Sequence, residues 1–282
     1  MCFNLGAPAE RIGLWVHGLI APEMNAKSAC KTLRQLDARR FIMKEGRNAI
    51  AAEFITGTGI EVGALHNPLP VPIGVKVRYV DRMDKSSLYE QYPELRQHNL
   101  VDVDFVDDGE KLLTFADNSQ DFIIANHFLE HCEDPIATLK TFFRVLKIGG
   151  IVFLAIPDKR LTFDKNRERT SLAHLIRDHL DGPITSRFEH FREWSEFVEP
   201  HFGRVYTTTE EIKHRARALM NQNYSIHFHV WEPVDVNEML HYCADEQGIP
   251  LVIEYSLSKD DEVVNVLRKN GDQARDIPDN DI

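Results

Sequence analysis

Short apolar segments alternate along the chain with segments that have helical periodicity. The fullest apolar segment is IVFLAI at 151–156. A strand that is apolar on both faces is typical of a parallel sheet covered by helices on both sides. Six other segments have the length and composition of strands. The predicted strands are 59–63, 75–80, 100–106, 121–125, 151–156, 251–257 and 262–268.

Helical patterns fill most of the intervals between these strands. They cover residues 85–97, where Pro93 interrupts the pattern, and residues 110–115, 135–146 and 234–246. Alternation of strands and helices predicts right-handed crossovers and helices on both faces of a parallel sheet. The predicted fold class is therefore α/β, with a doubly wound, seven-stranded and mostly parallel sheet of the Rossmann-like type.

Two segments depart from this alternation and divide the chain. Residues 1–55 are predicted to form a helical N-terminal extension, with an amphipathic pattern over 26–44. Residues 158–231 are charged, aromatic and rich in histidine, and no strand is evident before their last few positions. The predicted parts are the extension at 1–55, a core at 56–157 and 232–270, an insert at 158–231 that covers the ligand site, and a flexible tail at 271–282.

Charge and cysteine content narrow the classes of partner. The chain has 33 Lys plus Arg against 44 Asp plus Glu, a net charge of −11. An acidic chain binds phosphate backbones poorly, so no nucleic-acid partner is expected, whereas a small cationic ligand suits it better. The four cysteines, at positions 2, 30, 132 and 243, have no CxxC spacing. They are expected to be reduced thiols of an intracellular protein.

The sequence shows neither a membrane span nor a secretory signal. A span needs about 20 consecutive apolar residues, and no segment approaches that length. The apolar segment at 14–21 is short, is interrupted by His17 and lacks the basic start of a signal peptide. We therefore expect a cytoplasmic protein with a small-molecule partner, and a homo-oligomer is compatible with the sequence.

The ends of the predicted strands carry the candidate binding residues. In a doubly wound sheet, ligands bind beyond the carboxyl ends of the strands. Gly63 and Ala64 follow the first strand and are small enough for a ligand to approach the backbone. Asp81 ends the second strand, where an acid can accept hydrogen bonds from both hydroxyls of a ribose. An acidic edge follows the third strand and consists of Asp104, Asp107 and Asp108.

These segments resemble the class I S-adenosylmethionine-dependent methyltransferases. The resemblance covers roughly residues 55–160 and resumes at 232–268. It is carried by the loop IEVGALHNPLP, the segment RYVDRMD, the block SQDFIIANHFLEHCEDPIATLKTFFRVLKIGG and the strand IVFLAIPDKR. The middle block is the most specific, because a strand, then His-x-x-Glu-His, then Arg-Val-Leu-Lys-x-Gly-Gly is familiar in this family.

The resemblance implies S-adenosylmethionine as the cofactor and assigns residues to its site. Glu61, Gly63 and Ala64 would shape the methionine end of the site, in a loop that also contains the candidate contact Asn67. Asp81 would bind the ribose. The other candidates are one of Asp104, Asp107 and Asp108 beside the adenine, and Asn126 and His127 as walls at the end of the fourth strand.

The loop after the first strand departs from the family pattern. The family's loop usually carries two or three glycines, whereas here only Gly63 remains, so residues 65–68 are expected to follow an unusual path. This departure motivates an alternative of another class, a non-catalytic cofactor-binding or scaffolding protein with the same fold. A nicotinamide-dependent dehydrogenase is disfavoured, because the glycines that admit a pyrophosphate to a helix N-terminus are missing.

A hydroxyl acceptor would need a base, and four residues are candidates. His127, His131 and Asp158 lie beyond the fourth and fifth strands, and His179 lies in the insert. In the resembled family the His-x-x-Glu-His stretch is often structural, so a structural role is favoured for His131. The long insert that closes on His-Val-Trp-Glu-Pro resembles bacterial methyltransferases that accompany polysaccharide and glycan assembly. A sugar hydroxyl is the first acceptor expected, and a small metabolite is the second.

Seven of the 13 histidines fall in the insert. His174 and Asp178 lie four residues apart and share a helical face, but a metal there would need a third ligand from outside the helix, such as His190. Because His-x-x-x-Asp is a common coincidence and no His-Glu-x-x-His is present, the favoured interpretation is a solvated aromatic lid with titrating histidines. A divalent metal is not favoured, and a metal-dependent hydrolase is the third alternative.

Overall fold

The computed structural model describes residues 46–271, and within them seven strands form one sheet. The strands are β1 (Thr58–Val62), β2 (Lys76–Asp81), β3 (Phe105–Val106), β4 (Gln120–Asn126), β5 (Leu146–Pro157), β6 (Leu251–Lys259) and β7 (Glu262–Lys269). Their order across the sheet is β3-β2-β1-β4-β5-β7-β6. β1 to β5 pair in parallel, and only β7 runs antiparallel to its neighbours β5 and β6. The predicted doubly wound, mostly parallel sheet is confirmed.

Seven α-helices lie before and between the strands of the described chain. They are α1 (Arg47–Phe54), α2 (Lys85–Gln91), α3 (Pro135–Val145), α4 (Leu172–Asp181), α5 (Arg187–Glu193), α6 (Thr209–Asn221) and α7 (Pro233–Asp245). Local sequence explains where several of them begin. The Asp134 carboxylate accepts the Ala137 amide ahead of α3, and Ser171 accepts the His174 amide ahead of α4. None of these helices is long and apolar enough to cross a bilayer.

The core lies around the central strands β4 and β5. Ile123 and Leu154 of these strands pack with Phe142 of α3 and Met239 of α7. Neighbouring strand residues such as Phe122 are also fully buried, so both faces of the sheet are covered. This double cover is the reason that the segment at 151–156 is apolar throughout.

Three predicted elements differ from the observed ones. The third strand, predicted over 100–106, is reduced to β3, because the Asp104 carboxylate rather than a backbone carbonyl accepts the Tyr79 amide, at 2.8 Å. The predicted helix at 110–115 is a series of turns, and Leu112 has a φ of 44°. The helix predicted over 85–97 ends at Gln91, and a 3-10 turn, Pro93–Gln97, follows it. A proline cannot continue the hydrogen bonding of a helix, and it disfavours helical backbone at the residue before it.

The predicted insert carries α4, α5 and α6 and has a hydrophobic cluster of its own. Phe191, Trp194 and Leu219 are buried in that cluster. The predicted amphipathic helix at 26–44 and nearly all of the predicted tail lie outside the described residues. Of the predicted N-terminal extension, the structure describes residues 46–55, which include α1.

Candidate functional site

A cavity of about 340 Å³ opens at the carboxyl ends of β1, β2 and β4. We call it the strand-end cavity. Of the residues predicted from the sequence, it is lined by Gly63, Asp81, Asp108, His127 and His131. Its other lining residues are Val62, Leu65, Arg82, Leu88, Tyr92, Leu95, Gly109, Glu110, Phe128, Tyr224 and Ser225.

The loop after β1 turns sharply into the cavity wall. Gly63 has a φ of 68°, in the left-handed region that favours glycine, and its amide donates to the Val80 carbonyl at 3.0 Å. Leu65 also has a positive φ, 49°, and lines the cavity. Ala64 and Asn67 are joined by a 2.9 Å backbone hydrogen bond, and neither lines the cavity. The loop therefore follows an unusual path, and Leu65 is the residue that it adds to the cavity.

Glu61 holds this loop through hydrogen bonds to the loop backbone. Its side chain is 1% exposed, and its two oxygens lie 2.9 and 3.2 Å from the Leu69 amide that donates to them. Burial raises the pKa of Glu61 to about 7, against the lowering effects of the Leu69 hydrogen bond and the Arg47 charge. Because Glu61 does not line the cavity, its contact is with the loop backbone, which it holds in place.

Asp81 lies at the end of β2 with its carboxylate in the cavity wall. One oxygen accepts the Arg82 amide at 2.8 Å. Burial raises the pKa of Asp81 to about 6, although the Arg82 amide and guanidinium oppose that shift. The carboxylate therefore retains capacity to accept further hydrogen bonds at the end of β2.

The acidic edge after β3 separates into residues inside and outside the cavity. Asp108 lines it. Asp104 is occupied by the Tyr79 amide, and Asp107 accepts the amides of Asp108 and Thr114, both at 2.8 Å. Asp104 thus connects its segment to β2 and Asp107 closes a local turn, and neither lines the cavity.

Two neighbouring lining residues were missed in the sequence. Glu110 accepts the Glu133 amide at 3.2 Å, and burial raises the pKa of Glu110 to about 7. A Cβ on Gly109 would lie 2.6 Å from side-chain atoms of both Phe128 and Val62, so only glycine fits there. Glu110 lies in the segment that was wrongly predicted to be a helix, 110–115, and Gly109 directly precedes that segment.

His127 follows β4 and stands between two carboxylates. Its Nε2 lies 2.9 Å from Oε2 of Glu262, and its Nδ1 lies 3.8 Å from Oε1 of the buried Glu130. Burial alone would lower the pKa of His127, but the hydrogen bond to Glu262 and the charges of both acids raise it above its ordinary value. The preceding Asn126 does not line the cavity, and its buried Oδ1 has no hydrogen-bond partner.

His131 lines the cavity as a neutral imidazole. Its Nδ1 lies 2.9 Å from the Ile226 carbonyl oxygen and 3.1 Å from Oγ of Ser225. Since a carbonyl can only accept, Nδ1 carries the proton. Burial lowers the pKa of His131 to about 3. This contact joins the end of the insert to the segment after β4.

Asp158 and His179, the two remaining candidates, do not line the cavity. Asp158 accepts hydrogen bonds from the Arg160 side chain and amide, which hold the pKa of its carboxyl below the ordinary range. His179 on α4 lies 2.9 Å from both the Asp134 carboxylate and Nζ of Lys140 on α3. The structure therefore does not bring either residue together with His127.

The insert contributes Tyr224 and Ser225 to the cavity, although they are distant in sequence from the strand ends. Arg82 connects the two parts, because it donates to the Asn223 carbonyl at 3.1 Å and to the Tyr92 hydroxyl. The rings of Tyr92 and Tyr224 meet edge to face at 6.3 Å. No local sequence pattern marks these contacts, since they depend on how the insert folds back.

Comparison with known proteins agrees with this arrangement. Residues 56–154 match the sequence model of a family described as a methyltransferase domain. No curated protein matches the chain.

Three solved structures resemble the chain over most of its length. A protein from Haloferax volcanii, described as a methyltransferase and solved with the Trm112 activator, is 13% identical, covers 86% of this chain and 96% of its own, and gives a TM-score of 0.44. A Thermotoga maritima SAM-dependent methyltransferase is 13% identical, covers 86% of this chain and 97% of its own, and gives a TM-score of 0.40. A Rhodobacter sphaeroides protein described as a zinc-dependent alcohol dehydrogenase is 15% identical, covers 79% of this chain and 89% of its own, and gives a TM-score of 0.46. We draw no functional conclusion from these three similarities.

The family match spans β1 to β4 and most of β5, and so includes β1, β2 and β4, at whose carboxyl ends the strand-end cavity opens. Residues 56–154 are therefore similar in sequence to the methyltransferase domain family.

Proposed function

We propose that the chain transfers a methyl group from S-adenosylmethionine to a hydroxyl of a sugar or other small molecule in the strand-end cavity. The observation that carries this proposal is the meeting of Gly63, Asp81 and His127 at one edge of the sheet. Asp108 and Glu110 add further carboxyls to the same wall. A cavity lined with acids suits a cofactor that carries a positive charge on sulfur.

The lining residues fit the parts of this cofactor. Asp81, whose carboxylate is buried without a full set of partners, would accept the ribose hydroxyls. Gly63 would leave room for the methionine end, and Asp108, the acid of its edge that lines the cavity, would accept the adenine amine. When bound, S-adenosylmethionine supplies a methyl group on a sulfonium with a good leaving group.

His127 is proposed as the base for the acceptor hydroxyl. Glu262 would hold the proton on Nε2, which leaves Nδ1 to accept the hydroxyl proton. The same carboxylate raises the pKa of His127, so the imidazole is a stronger base than a free one. Asp158 and His179 are not used in this proposal, because other groups occupy them.

The insert is proposed to roof the acceptor pocket. Tyr224 and Ser225 line the cavity; Arg82 donates to the carbonyl of the preceding Asn223, and Ser225 contacts His131. A roof of this kind aligns the acceptor and excludes water, which are the main tasks in a displacement with a good leaving group. We infer the cytoplasm as the location from the cysteine pattern, which is typical of reduced thiols. Polysaccharide assembly is the first pathway to test, and it rests on the sequence resemblance alone.

Calorimetric titration with S-adenosylhomocysteine tests the cofactor site. We expect Asp81→Ala to weaken binding by about 1–3 kcal/mol, because a charge-assisted hydrogen-bonding group is lost. Asp102→Ala is the matched control, since Asp102 is an exposed acid paired with Lys85. Absence of heat with the wild-type chain would refute the enzyme function and favour a scaffold. Equal affinities of the wild type and Asp81→Ala would mean that Asp81 does not bind the ribose.

A second assay tests the acceptor. Methyl transfer from labelled cofactor to a panel of sugars and small hydroxyl metabolites should be found for the wild type and lost in His127→Ala. Transfer only to amine acceptors would contradict the hydroxyl assignment and leave the cofactor site intact.

A further inference from the structure

Four metal-ligating side chains of the insert converge outside the strand-end cavity. They are His174 and Asp178 on α4, His190 on α5 and His229 in the segment that precedes Trp231. Each offers one nitrogen or oxygen atom, and the four atoms all lie within 4.8 Å of one another. We call them the His-Asp cluster. None of the four lines the strand-end cavity.

The distances within the His-Asp cluster are those of ligands around one ion. Nε2 of His174 lies 3.1 Å from Nε2 of His190 and 3.1 Å from Oδ2 of Asp178. Nε2 of His190 lies 3.6 Å from the same oxygen. Ligands bound tetrahedrally at about 2.0–2.2 Å are separated from one another by about 3.3–3.6 Å. Two of the three separations, at 3.1 Å, lie just below that range, and the third, 3.6 Å, lies at its upper end.

Two polar atoms of the cluster are buried without a hydrogen-bond partner. They are Oδ2 of Asp178, which is 2% exposed, and Nδ1 of His229, which is 0% exposed. Buried polar atoms in native proteins almost always have partners, because an unsatisfied one costs about 1–3 kcal/mol. A cation at the centre of the cluster would satisfy both atoms at once.

The contact that His229 makes with the backbone leaves its Nδ1 lone pair available to a metal ion. Nε2 of His229 lies 3.4 Å from the Glu133 carbonyl oxygen, which can only accept. The proton of His229 therefore belongs on Nε2, and Nδ1 keeps its lone pair, as is usual for a metal-bound histidine oriented by a carbonyl. His190 and His229 are buried, so they do not belong to a solvated lid as predicted from the sequence.

We propose that the insert binds a zinc ion through Nε2 of His174, Oδ2 of Asp178, Nε2 of His190 and Nδ1 of His229. Imidazole and carboxylate ligands suit Zn²⁺ among the divalent metals. Four protein ligands complete a tetrahedral shell, so the ion has no open position and its role is structural. It joins α4 and α5 to the segment that ends the insert. The site lies outside the strand-end cavity, and the proposal of a zinc ion there does not depend on the function proposed above.

Metal content of the full-length chain, purified without a histidine tag, tests the proposal. The chain is stripped with a chelator, incubated with ZnCl₂, desalted and measured by plasma mass spectrometry. We expect about one zinc ion per chain for the wild type and a loss of most of it in Asp178→Asn and His229→Ala. His201→Ala and His214→Ala remove exposed histidines of the same insert, and both should keep the ion.

A second measurement, on the wild-type chain, tests the proposal even where the variants fail to fold. Wild-type chain loaded with Co²⁺ should show the intense visible absorption of tetrahedral cobalt, and Zn²⁺ should abolish it and raise the melting temperature. A stripped wild type that takes up no zinc would overturn the proposal, whatever the variants do. So would zinc that persists in folded Asp178→Asn and His229→Ala, or a weak octahedral cobalt spectrum.

Discussion

Glu61 should make the chain less stable as pH rises, and Glu61→Gln should remove that dependence. The carboxyl is 1% exposed, and its oxygens accept the Leu69 amide. Burial raises its pKa from 4.5 to about 7 in the folded chain. Glutamine retains a carbonyl oxygen for the same amide and cannot ionise. The substitution therefore isolates the cost of the buried charge.

The sign and size of the effect follow from the two pKa values. Between pH 4.5 and about 7 the unfolded chain has lost this proton while the folded chain retains it. The folded state then binds more protons, so its stability falls as pH rises through that window. The difference between the two pKa values corresponds to about 3 kcal/mol, reached above pH 7.

Urea unfolding of both chains at about pH 5 and 8.5 measures this effect through the free energy of unfolding. The advantage of Glu61→Gln over the wild type should grow by about 3 kcal/mol between the two conditions. Taking the difference between the two chains cancels the same-sign contributions of Asp81 and Glu110, whose pKa values burial also raises. Glu210→Gln is the control, because the Lys213 hydrogen bond lowers the pKa of the exposed Glu210 and reverses the sign. An advantage that stays constant with pH would refute the reasoning.

Three further predictions concern the base, the insert and the cavity wall. Methyl-transfer activity should rise with pH through the raised pKa of His127. Glu262→Gln removes a charge that raises this pKa, so it should move the rise in activity to lower pH. An unchanged pH profile would show that the His127–Glu262 pair does not act in the reaction. Arg167→Ala should destabilise the chain by about 3–5 kcal/mol in urea unfolding, because the buried guanidinium pairs with Asp164 and donates to the carbonyls of His227 and Phe228. Gly109→Ala should cost about 1–3 kcal/mol and weaken cofactor binding in calorimetry, whereas Gly271→Ala, where a Cβ meets Ile148 at 3.4 Å, should have little effect.

The sheet and part of the cavity could be predicted because their signals are local. The all-apolar segment at 151–156 indicates a doubly covered strand, and β5 contains it. Asp81 follows a strand directly, so its place at the sheet edge follows from the strand itself. Gly63 is found in the same way, because a turn after β1 needs a residue that accepts a positive φ.

The prediction from sequence failed where side chains replace the backbone pairing of a strand, and where segments distant in sequence meet. Asp104 takes the Tyr79 amide, and this shortens β3 without any change in the apolar pattern. His179 and His190 both lie on insert helices, but packing places one against α3 and the other in the His-Asp cluster. Tyr224 reaches the cavity only because the insert folds back, and no periodicity in the sequence encodes that path.

The segment at 224–231 connects the two sites of the molecule. It begins with Tyr224 and Ser225 in the strand-end cavity and continues to His229 in the His-Asp cluster. Between them the Phe228 amide donates to the Glu130 carbonyl at 2.8 Å, so the segment is fastened to the residues that follow β4. A zinc ion on His229 would restrict the same segment four residues from Ser225. Ordering of the roof before a ligand arrives lowers the entropy cost of binding, so removal of the ion should weaken acceptor binding while Asp81 still holds the cofactor.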